Sequence, residues 1–215
     1  MMSNLKHNQP QYSKLADIYD ALMEDVDYEL WADFIDALML QHHPKPIDIL
    51  ELACGTGSVS LFLDELECYN VVGTDLSPQM IKKARQKNRA MFCDVTFKVM
   101  DFLDIDLDQT FDVAFSVFDS INYLHSADEV LIFLQQTNTV LRPGGLLIFD
   151  FTTPKNSIQA IQYLNNEEGY TDNNYRYFRK SQYDASEQIH KNRFQIEKLD
   201  SDQETVLEKY QEVHQ

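Results

Sequence analysis

Short apolar runs alternate with amphipathic segments between residues 47 and 151, and this pattern predicts alternating strands and helices. A short run of mostly apolar residues indicates a strand buried on both faces, as in a parallel sheet. Between the runs, apolar residues recur at the spacing of helices packed against such a sheet. We therefore expect an α/β fold with a Rossmann-like, doubly wound parallel sheet. The five predicted strands cover residues 47–53, 71–75, 95–100, 111–117 and 146–151.

Capping residues mark the starts of the predicted helices. Ser58 follows the first strand and is expected to cap the next helix. Ser77 followed by Pro78 predicts another capped helix, with proline in its first turn. Residues 126–129, Ser-Ala-Asp-Glu, match a capping box at the start of a further helix. Residues 142–145, Arg-Pro-Gly-Gly, predict a break between that helix and the fifth strand.

The two ends of the chain depart from this central pattern. Residues 12–23 predict an irregular lead-in or short helix, and residues 28–39 predict a helix that Pro44 and Pro46 end. After residue 154 the pattern predicts a short helix, a polar loop and then three strands, which form a C-terminal antiparallel β meander. These elements cover residues 157–164 for the helix, 165–174 for the loop, and 175–183, 188–198 and 205–213 for the strands.

Length and composition fit one compact domain, with 215 residues of which 44% are apolar. We predict a single domain with three parts: an N-terminal helical region over 1–46, which includes the lead-in, a core over 47–151, and an insertion with the meander over 152–215. The aromatic residues of the meander, Tyr175, Tyr177, Phe178 and Tyr183, are expected to pack within the sheet, with a lid over the site or a homodimer contact as the alternatives.

Charge and cysteine content narrow the function. The formal net charge is −17, which disfavours binding to nucleic acid or to an anionic membrane and leaves small molecules as the expected ligands. No apolar segment has the length of a signal peptide or a membrane span, so we expect a cytoplasmic protein. Cys54, Cys68 and Cys93 form no Cys-x-x-Cys pair, and we predict neither a disulfide framework nor a metal site.

Ligands of open α/β sheets bind at the carboxyl ends of the strands, and polar residues follow several of the predicted strands. Gly55 and Gly57 let the backbone approach a ligand closely after the first strand. Asp75 ends the second strand, where its carboxylate can accept hydrogen bonds from both hydroxyl groups of a ribose. Asp101 ends the third strand and can accept a hydrogen bond from an exocyclic amine, while Phe102 adds a ring and a backbone N–H.

Two cofactors fit this glycine turn and acid: a dinucleotide and S-adenosylmethionine. The dinucleotide fingerprint requires a third glycine, and this chain has Ser60 there. Glu51 before the turn would repel a pyrophosphate, whereas it suits a ligand with an ammonium and a sulfonium group. Leu76 and Met80 can supply apolar contacts to a flat base. These residues favour S-adenosylmethionine, and an NAD-dependent oxidoreductase is the less favoured alternative.

Five motifs resemble those of the class I S-adenosylmethionine-dependent methyltransferases. The resemblance implies S-adenosylmethionine as cofactor, S-adenosylhomocysteine as product, and a contact of residues 101–102 with adenine. The motifs lie at residues 49–57 (ILELACGTG), 72–80 (VGTDLSPQM), 101–102, 111–120 and 141–145.

The lead-in, residues 116–124 and the meander also resemble the bacterial small-molecule branch of this family, which includes sugar N,N-dimethyltransferases. That resemblance implies that Tyr12 and Tyr19 lie near the methionine end of the cofactor, and it adds Trp31 as a contact. The predicted cofactor-binding set is therefore Tyr12, Tyr19, Trp31, Glu51, Ala53, Gly55, Gly57, Asp75, Leu76, Met80, Asp101, Phe102 and Phe118.

The resemblance implies methylation of a small molecule, with nitrogen favoured over oxygen and carbon as the acceptor. Asp119, Tyr123 and His125 are the candidates for a base that removes a proton from the acceptor. The alternative is a fragment, or a non-catalytic protein, that binds S-adenosylmethionine without transferring the methyl group. This alternative arises because the last two strands of the seven-stranded family sheet have no counterpart in the pattern, and we expect the natural gene to continue past Gln215.

Overall fold

A computed structural model describes residues 12, 14–203 and 205–214, and its centre is a five-stranded parallel sheet. The strand order is β3-β2-β1-β4-β5, so the order reverses beside β1 and creates a switch point there. The predicted doubly wound α/β architecture is confirmed. The strands are β1 (Asp48–Leu52), β2 (Asn70–Asp75), β3 (Thr96–Val99), β4 (Phe111–Ser116) and β5 (Leu141–Phe149).

Helices cover both faces of the sheet. They are α1 (Tyr19–Leu22), α2 (Tyr28–His42), α3 (Ser58–Asp64), α4 (Pro78–Met91), α5 (Ala127–Val140) and α6 (Pro154–Leu164), with 3₁₀ turns at Leu15–Asp17 and Ser120–Tyr123. Ile49 and Val113 belong to the core shared with α2, α3 and α4. Leu50 and Phe111 belong to the core shared with α5. Burial on both faces explains why these strands are continuous apolar runs.

Two of the three predicted helix caps are confirmed. Ser77 and Ser126 each accept a hydrogen bond from a backbone N–H in the first turn of their helix. The prediction for Ser58 is wrong, because Gly57 is the cap of α3 and has a φ of +79°. The left-handed turn at Gly57 starts the helix one residue earlier, and the Ser58 hydroxyl instead accepts from Nζ of Lys87 at 2.7 Å.

The break predicted at residues 142–145 is wrong, since these residues lie within β5. Pairing with β4 shifts register before Leu146, so the segment bulges out of the ladder without ending the strand. Arg142 fixes this bulge through ion pairs of 2.6 Å to Asp48 and 2.7 Å to Asp112. The arginine therefore holds the start of β5 against the neighbouring strands.

After α6 the chain forms a four-stranded antiparallel sheet with the order β6-β7-β8-β9. The three strands of the predicted meander are confirmed. The polar loop predicted over 165–174 is wrong in part, because residues 167–171 form a strand that pairs with β7. This strand is an edge strand, for which polar residues are common. The strands are β6 (Glu167–Thr171), β7 (Tyr175–Asp184), β8 (Ile189–Leu199) and β9 (Val206–His214).

The described part of the lead-in, residues 12 and 14–23, packs against the antiparallel sheet and is paired with α4. Leu15 and Ile18 are buried and share a core with Phe194 and Ile196 of β8. This contact places the antiparallel sheet over the carboxyl ends of the parallel strands. Among the described residues, no helix is both long and apolar enough to cross a bilayer. The assignment of the whole chain to one domain stays a prediction.

Candidate active site

A cavity of about 580 Å³ lies at the carboxyl ends of β1 to β4, under the lead-in and the antiparallel sheet. This volume is typical of cofactor and small-molecule sites, which span about 300–1,000 Å³. The candidate bases Asp119, Tyr123 and His125 line the cavity. Most of the predicted cofactor-binding residues also line it: Tyr12, Tyr19, Glu51, Ala53, Gly55, Asp75, Leu76, Met80, Asp101, Phe102 and Phe118.

Two residues of the predicted set, Trp31 and Gly57, are not among the lining residues. The Trp31 ring packs on the ring of Phe118, with centroids 4.9 Å apart. Gly57 faces Phe97, and a Cβ at this glycine would lie 2.5 Å from the phenyl Cζ. Gly57 is therefore required for close packing of the turn against β3. A direct contact of either residue with a cofactor stays a prediction.

The turn after β1 brings backbone groups to the cavity. Ala53 and Gly55 have left-handed backbone, with φ of +57° and +55°. A Cβ at Gly55 would lie 3.8 Å from the ring of Tyr19, so a side chain would point into the space under the lead-in. The N–H of Gly55 donates to Oδ2 of Asp75 at 2.9 Å. This bond fixes the turn relative to the end of β2.

Asp75 is oriented by backbone donors on both carboxylate oxygens. Oδ1 accepts from the N–H of Ser77 at 2.8 Å, and Oδ2 accepts from Gly55. Burial raises the pKa of Asp75, and the two backbone hydrogen bonds oppose that shift. Because each carboxylate oxygen can accept more than one hydrogen bond, Asp75 keeps the capacity to bind the two hydroxyl groups of a ribose.

Glu51 is a buried carboxyl group on the cavity floor, with 3% of the residue exposed. It accepts a hydrogen bond from the hydroxyl of Ser60. Burial raises the pKa of Glu51 to about 8, and the Ser60 hydrogen bond opposes the shift. A buried carboxylate of this kind is stabilised by a cation, so this part of the floor suits the ammonium or sulfonium group of a ligand.

The floor beyond β2 and β3 is mostly apolar. Phe102 packs edge-on against Phe133, with ring centroids 5.3 Å apart. Leu76 is half-exposed and Met80 is buried, and both line the cavity. Asp101 accepts from the N–H of Leu103 at 2.8 Å, which fixes its carboxylate at the edge of this region. The arrangement offers flat apolar contacts and one acceptor, as an adenine ring requires.

The turn after β4 is held by Asp150, the residue that follows β5. Phe118 and Asp119 both have left-handed backbone, with φ of +59° and +51°. Their N–H groups donate to the two oxygens of Asp150, at 3.1 and 2.8 Å. Burial raises the pKa of Asp119 to about 6, with a further rise from the Asp150 charge, and a hydrogen bond from Thr152 opposes these effects. Asp119 therefore faces the cavity as a carboxyl group that can exchange a proton near neutral pH.

The lead-in places two tyrosines in the cavity wall. The hydroxyl groups of Tyr12 and Tyr123 are 2.5 Å apart. Tyr12 also packs edge-on against Tyr19, with ring centroids 5.9 Å apart. Burial raises the pKa of the phenol groups of Tyr12, Tyr19 and Tyr123, so all three are neutral and can act as donors.

Lysines of α4 hold the lead-in in place. Lys83 pairs with Asp17 at 3.0 Å, and Lys87 pairs with Asp20 at 3.1 Å. Nζ of Lys87 also donates to the hydroxyl of Thr56 at 3.1 Å, which links the lead-in to the turn after β1. The position of the lead-in is therefore tied to the glycine turn.

The antiparallel sheet supplies a wall of residues that were not named among the predicted site residues. Arg179, His190, Asn192 and Phe194 line the cavity, together with His214 of β9. Oδ1 of Asn192 is buried and has no hydrogen-bond partner among the described residues. The signal for part of this wall was present, because residues 190, 192 and 194 alternate along β8 and so share one face.

The residues present fit S-adenosylmethionine. The buried Glu51 carboxyl suits a cationic end, Asp75 suits a ribose, and the apolar floor suits a base. Across residues 12, 14–203 and 205–214, no group of three or more His, Cys, Asp and Glu side chains is arranged to hold a metal ion.

Comparisons with known proteins point to the same cofactor. A family profile described as "Methyltransferase domain" matches residues 49–145. The "Putative methyltransferase YqeM" of Bacillus subtilis (strain 168) is 36% identical over 140 residues, which cover 65% of this chain and 54% of that protein. The dTDP-3-amino-3,4,6-trideoxy-alpha-D-glucopyranose N,N-dimethyltransferase of Streptomyces venezuelae is 30% identical over 138 residues, covering 63% of this chain and 56% of the relative. The chain thus spans little more than half the length of these relatives.

A third relative and a solved structure match more of their own length. The demethylmenaquinone methyltransferase of Thermus thermophilus is 31% identical over 158 residues, covering 71% of this chain and 69% of that protein. The crystal structure of a S-adenosylmethionine-dependent methyltransferase from Clostridium acetobutylicum ATCC 824 has a TM-score of 0.73 and 28% identity, covering 94% of this chain and 80% of that one. With the fold, the strand-end residues and these matches together, the chain belongs to the class I S-adenosylmethionine-dependent methyltransferases.

Proposed function

We propose that this chain transfers the methyl group of S-adenosylmethionine to a nitrogen atom of a small molecule. The observation that carries the proposal is the cavity with two different walls. One wall, at the strand ends, carries Glu51, Asp75 and Asp101, which suit the cofactor. The other wall, from the antiparallel sheet, is rich in polar side chains that the cofactor does not require.

Each part of the cofactor has a matching residue. Asp75 would hold the ribose hydroxyl groups, and Asp101 with Phe102 would hold the adenine. Glu51 and the backbone at Gly55 would hold the methionine end. When bound, S-adenosylmethionine supplies a methyl group activated by the positive sulfur.

The contribution of the protein is alignment and exclusion of water. Good alignment of two reactants can lower the activation barrier by on the order of 7–11 kcal/mol. The lead-in covers the cavity with Tyr12 and Tyr19, and its ion pairs to α4 hold it there. We infer that these tyrosines close the methionine end from solvent.

The wall opposite the cofactor residues defines the acceptor subsite. Asn122 and Thr152 line the cavity beside Asp119, and Arg179 and Asn192 line it from the antiparallel sheet. Amide, hydroxyl and charged groups of this kind suit a small polar acceptor, such as an amine that carries hydroxyl groups. A nucleic-acid acceptor is disfavoured by the net charge of −17.

Nitrogen is the favoured acceptor atom because the polar subsite resembles what an amino sugar needs and one relative is named for amino-sugar N-methylation. Carbon is the second candidate, because the demethylmenaquinone methyltransferase is similar over more of its length. A nicotinamide dinucleotide is disfavoured, since Ser60 replaces the third glycine of its fingerprint and binds the Glu51 carboxyl.

Calorimetric titration with S-adenosylmethionine, S-adenosylhomocysteine and NADH tests the cofactor. Binding of the first two without NADH is the expected result. Methyl transfer is then measured as S-adenosylhomocysteine formed with dTDP-3-amino-3,6-dideoxyglucose, dTDP-3-amino-3,4,6-trideoxyglucose and demethylmenaquinol as acceptors. Product with an amino sugar supports N-methylation, and product with the quinol alone supports carbon.

Two results would contradict the proposal. Binding of S-adenosylmethionine without product from any acceptor favours a non-catalytic binding protein. Absence of binding by a folded chain contradicts the assignment of the cofactor residues. Repeating the titration with any longer natural form of the protein separates a missing segment from a wrong assignment.

A further inference from the structure

Three side chains from distant parts of the sequence, Tyr12, Tyr123 and His214, meet on one wall of the cavity, and Glu212 lies next to His214 on β9. The hydroxyl of Tyr123 lies 2.5 Å from that of Tyr12 and 3.4 Å from Nδ1 of His214. Nε2 of His214 lies 3.4 Å from Oε2 of Glu212. A line of polar atoms therefore runs from the cavity to a carboxylate on β9.

His214 is enclosed, with 4% of the residue exposed. Its ring packs on Tyr12, with centroids 4.3 Å apart, and edge-on against Phe194 at 5.8 Å. A neutral imidazole has one donor nitrogen and one acceptor nitrogen. Nε2 is buried and makes no hydrogen bond among the described residues, so the Glu212 carboxylate acts on it through its charge; this favours the hydrogen on Nε2 and leaves Nδ1 as an acceptor toward Tyr123.

Glu212 is itself held by backbone donors. Its Oε1 accepts from the N–H groups of Lys14 and Leu15, the second at 3.1 Å. The same carboxylate thus anchors the lead-in and faces His214. As a consequence, Tyr12, Tyr123 and His214 come together only when the lead-in is seated on β9.

We propose that Tyr123, His214 and Glu212 form a relay that removes the proton released by the methyl acceptor, which is therefore a compound with an N–H or O–H group. This inference rests on the proposed function. Tyr123 contacts the acceptor, His214 receives the proton through it, and Glu212 is a positioning residue for His214.

The relay accounts for every bond and every proton that changes in the methyl transfer. A bond forms between the acceptor atom and the methyl carbon, while the bond from that carbon to sulfur breaks and its electron pair stays on sulfur. The acceptor's N–H or O–H bond breaks, and its proton goes to the Tyr123 oxygen. The original hydroxyl proton of Tyr123 passes to Nδ1 of His214, and the imidazolium then lies beside the Glu212 carboxylate.

The Tyr123 phenol can transfer a proton to His214, but it does not remain as a charged phenolate. Burial and the nearby charge of Asp119 raise the pKa of Tyr123, so a phenolate is disfavoured. Asp119, whose pKa burial raises to about 6, is the competing acceptor in the same cavity. Tyr12, Tyr19, Asp75 and Asp119 are titratable groups that interact with Tyr123, and Arg179 lies over the ring of Phe194 at 4.9 Å.

Steady-state kinetics with dTDP-3-amino-3,4,6-trideoxyglucose, the amino sugar for which the Streptomyces venezuelae relative is named, test the relay in the full chain. We expect His214→Gln to lower kcat roughly 10²-fold, which is the lower end of the contribution of a general base, with KM and S-adenosylmethionine affinity unchanged. His42→Gln, at the exposed end of α2, is the matched control.

Two further readouts separate proton transfer from structure. Free imidazole should restore part of the activity of His214→Ala, which it would not do if the histidine only supported the fold. In the cofactor-free chain with ¹³C-labelled tyrosine, the Tyr123 Cζ resonance should shift in His214→Gln and in Glu212→Gln but not in His42→Gln.

The outcomes are distinguishable. Full activity of His214→Gln, or a Tyr123 resonance that is unchanged in it, overturns the relay and leaves the proposed function intact. If Asp119→Asn loses activity and His214→Gln keeps it, the proton goes to Asp119, and this result also overturns the relay. Absence of product from the unaltered chain with every amine and quinol acceptor overturns the proposed function and with it the catalytic relay.

Discussion

Two cavity carboxyl groups, Glu51 and Asp75, are held in different ways at the ends of neighbouring strands. Asp75 accepts two backbone N–H bonds, whereas Glu51 accepts from the hydroxyl of Ser60 and is more deeply buried. Backbone donors stabilise an ionised carboxylate, while burial disfavours it. The two groups are therefore expected to respond differently to substitution and to pH.

Asp75→Ala should weaken S-adenosylmethionine binding by more than about 1 kcal/mol, because it removes charge-assisted hydrogen bonds to the ribose. Calorimetric titration measures the change, and the thermal midpoint of the variant checks that it is folded. Asp106→Ala, an exposed acid after β3, is the matched control and should bind like the unaltered chain. Equal affinity of the two variants would exclude a ribose contact for Asp75.

The stability of the cofactor-free chain should fall as pH rises, because of Glu51. Burial raises its pKa from 4.5 to about 8, so between these values the folded chain keeps a proton that the unfolded chain has lost. Stability then decreases by up to about 1.4 kcal/mol per pH unit, and the loss is complete above pH 8.

Urea unfolding of the unaltered chain and of Glu51→Gln, each at pH 5 and pH 8, measures this contribution. The glutamine keeps the shape and cannot ionise, so the variant should lose less stability between the two pH values by an amount on the order of a few kcal/mol. Asp106→Asn serves as the exposed control. The same pH dependence in Glu51→Gln and the unaltered chain would show that the folded chain already ionises Glu51.

At the scale of elements, the turn between β4 and the 3₁₀ turn depends on one carboxylate. Asp150→Ala leaves the N–H groups of Phe118 and Asp119 without their acceptor, and both residues have strained left-handed backbone. We expect a loss of about 1–3 kcal/mol in the free energy of unfolding. Chemical denaturation measures it, with Asp172→Ala in the exposed turn between β6 and β7 as control. A loss no larger than that of the control would contradict the anchoring role.

Local signals predicted the elements well where each signal is sufficient by itself. Ser77 and Ser126 cap helices through bonds within one turn, so the sequence nearby contains the cause. The errors lie where pairing with another strand determines the conformation of a segment. Residues 142–145 contain the turn signal Pro-Gly-Gly, yet Arg142 and its two acidic partners on other strands hold them in β5. Residues 167–171 are polar, yet the ladder of β7 makes them a strand.

At the scale of the whole molecule, two sheets form the cavity, and their lining residues differ in how far the sequence predicts them. The parallel sheet contributes strand-end residues that follow from topology, and for this reason most of the cavity-lining residues of this sheet could be predicted from the sequence. The antiparallel sheet contributes Arg179, Asn192 and His214, whose position depends on docking of the sheet through the lead-in. No local pattern encodes that docking, so the wall from the antiparallel sheet became visible only in the structure, whereas Asp119, Tyr123 and His125 could be named from the sequence.

The buried contact of Ile18 is the test of this docking. Ile18 is 1% exposed and packs with Leu15 against the antiparallel sheet, but it does not line the cavity. Ile18→Ala should lower the free energy of unfolding by about 2–5 kcal/mol through lost packing and the cavity left behind. It should also weaken S-adenosylmethionine binding, because the lead-in that carries Tyr12 and Tyr19 would be seated less often.

Urea unfolding and calorimetric titration measure the two effects, with Leu30→Ala as the control. Leu30 lies on α2 and is 63% exposed, so its truncation removes a similar volume with little packing. If Ile18→Ala loses stability but binds the cofactor normally, the lead-in supports the fold without shaping the site. If it changes neither quantity relative to Leu30→Ala, the two sheets are not joined through this contact. Loss of both is the result expected if the lead-in assembles the active site by holding one sheet over the other.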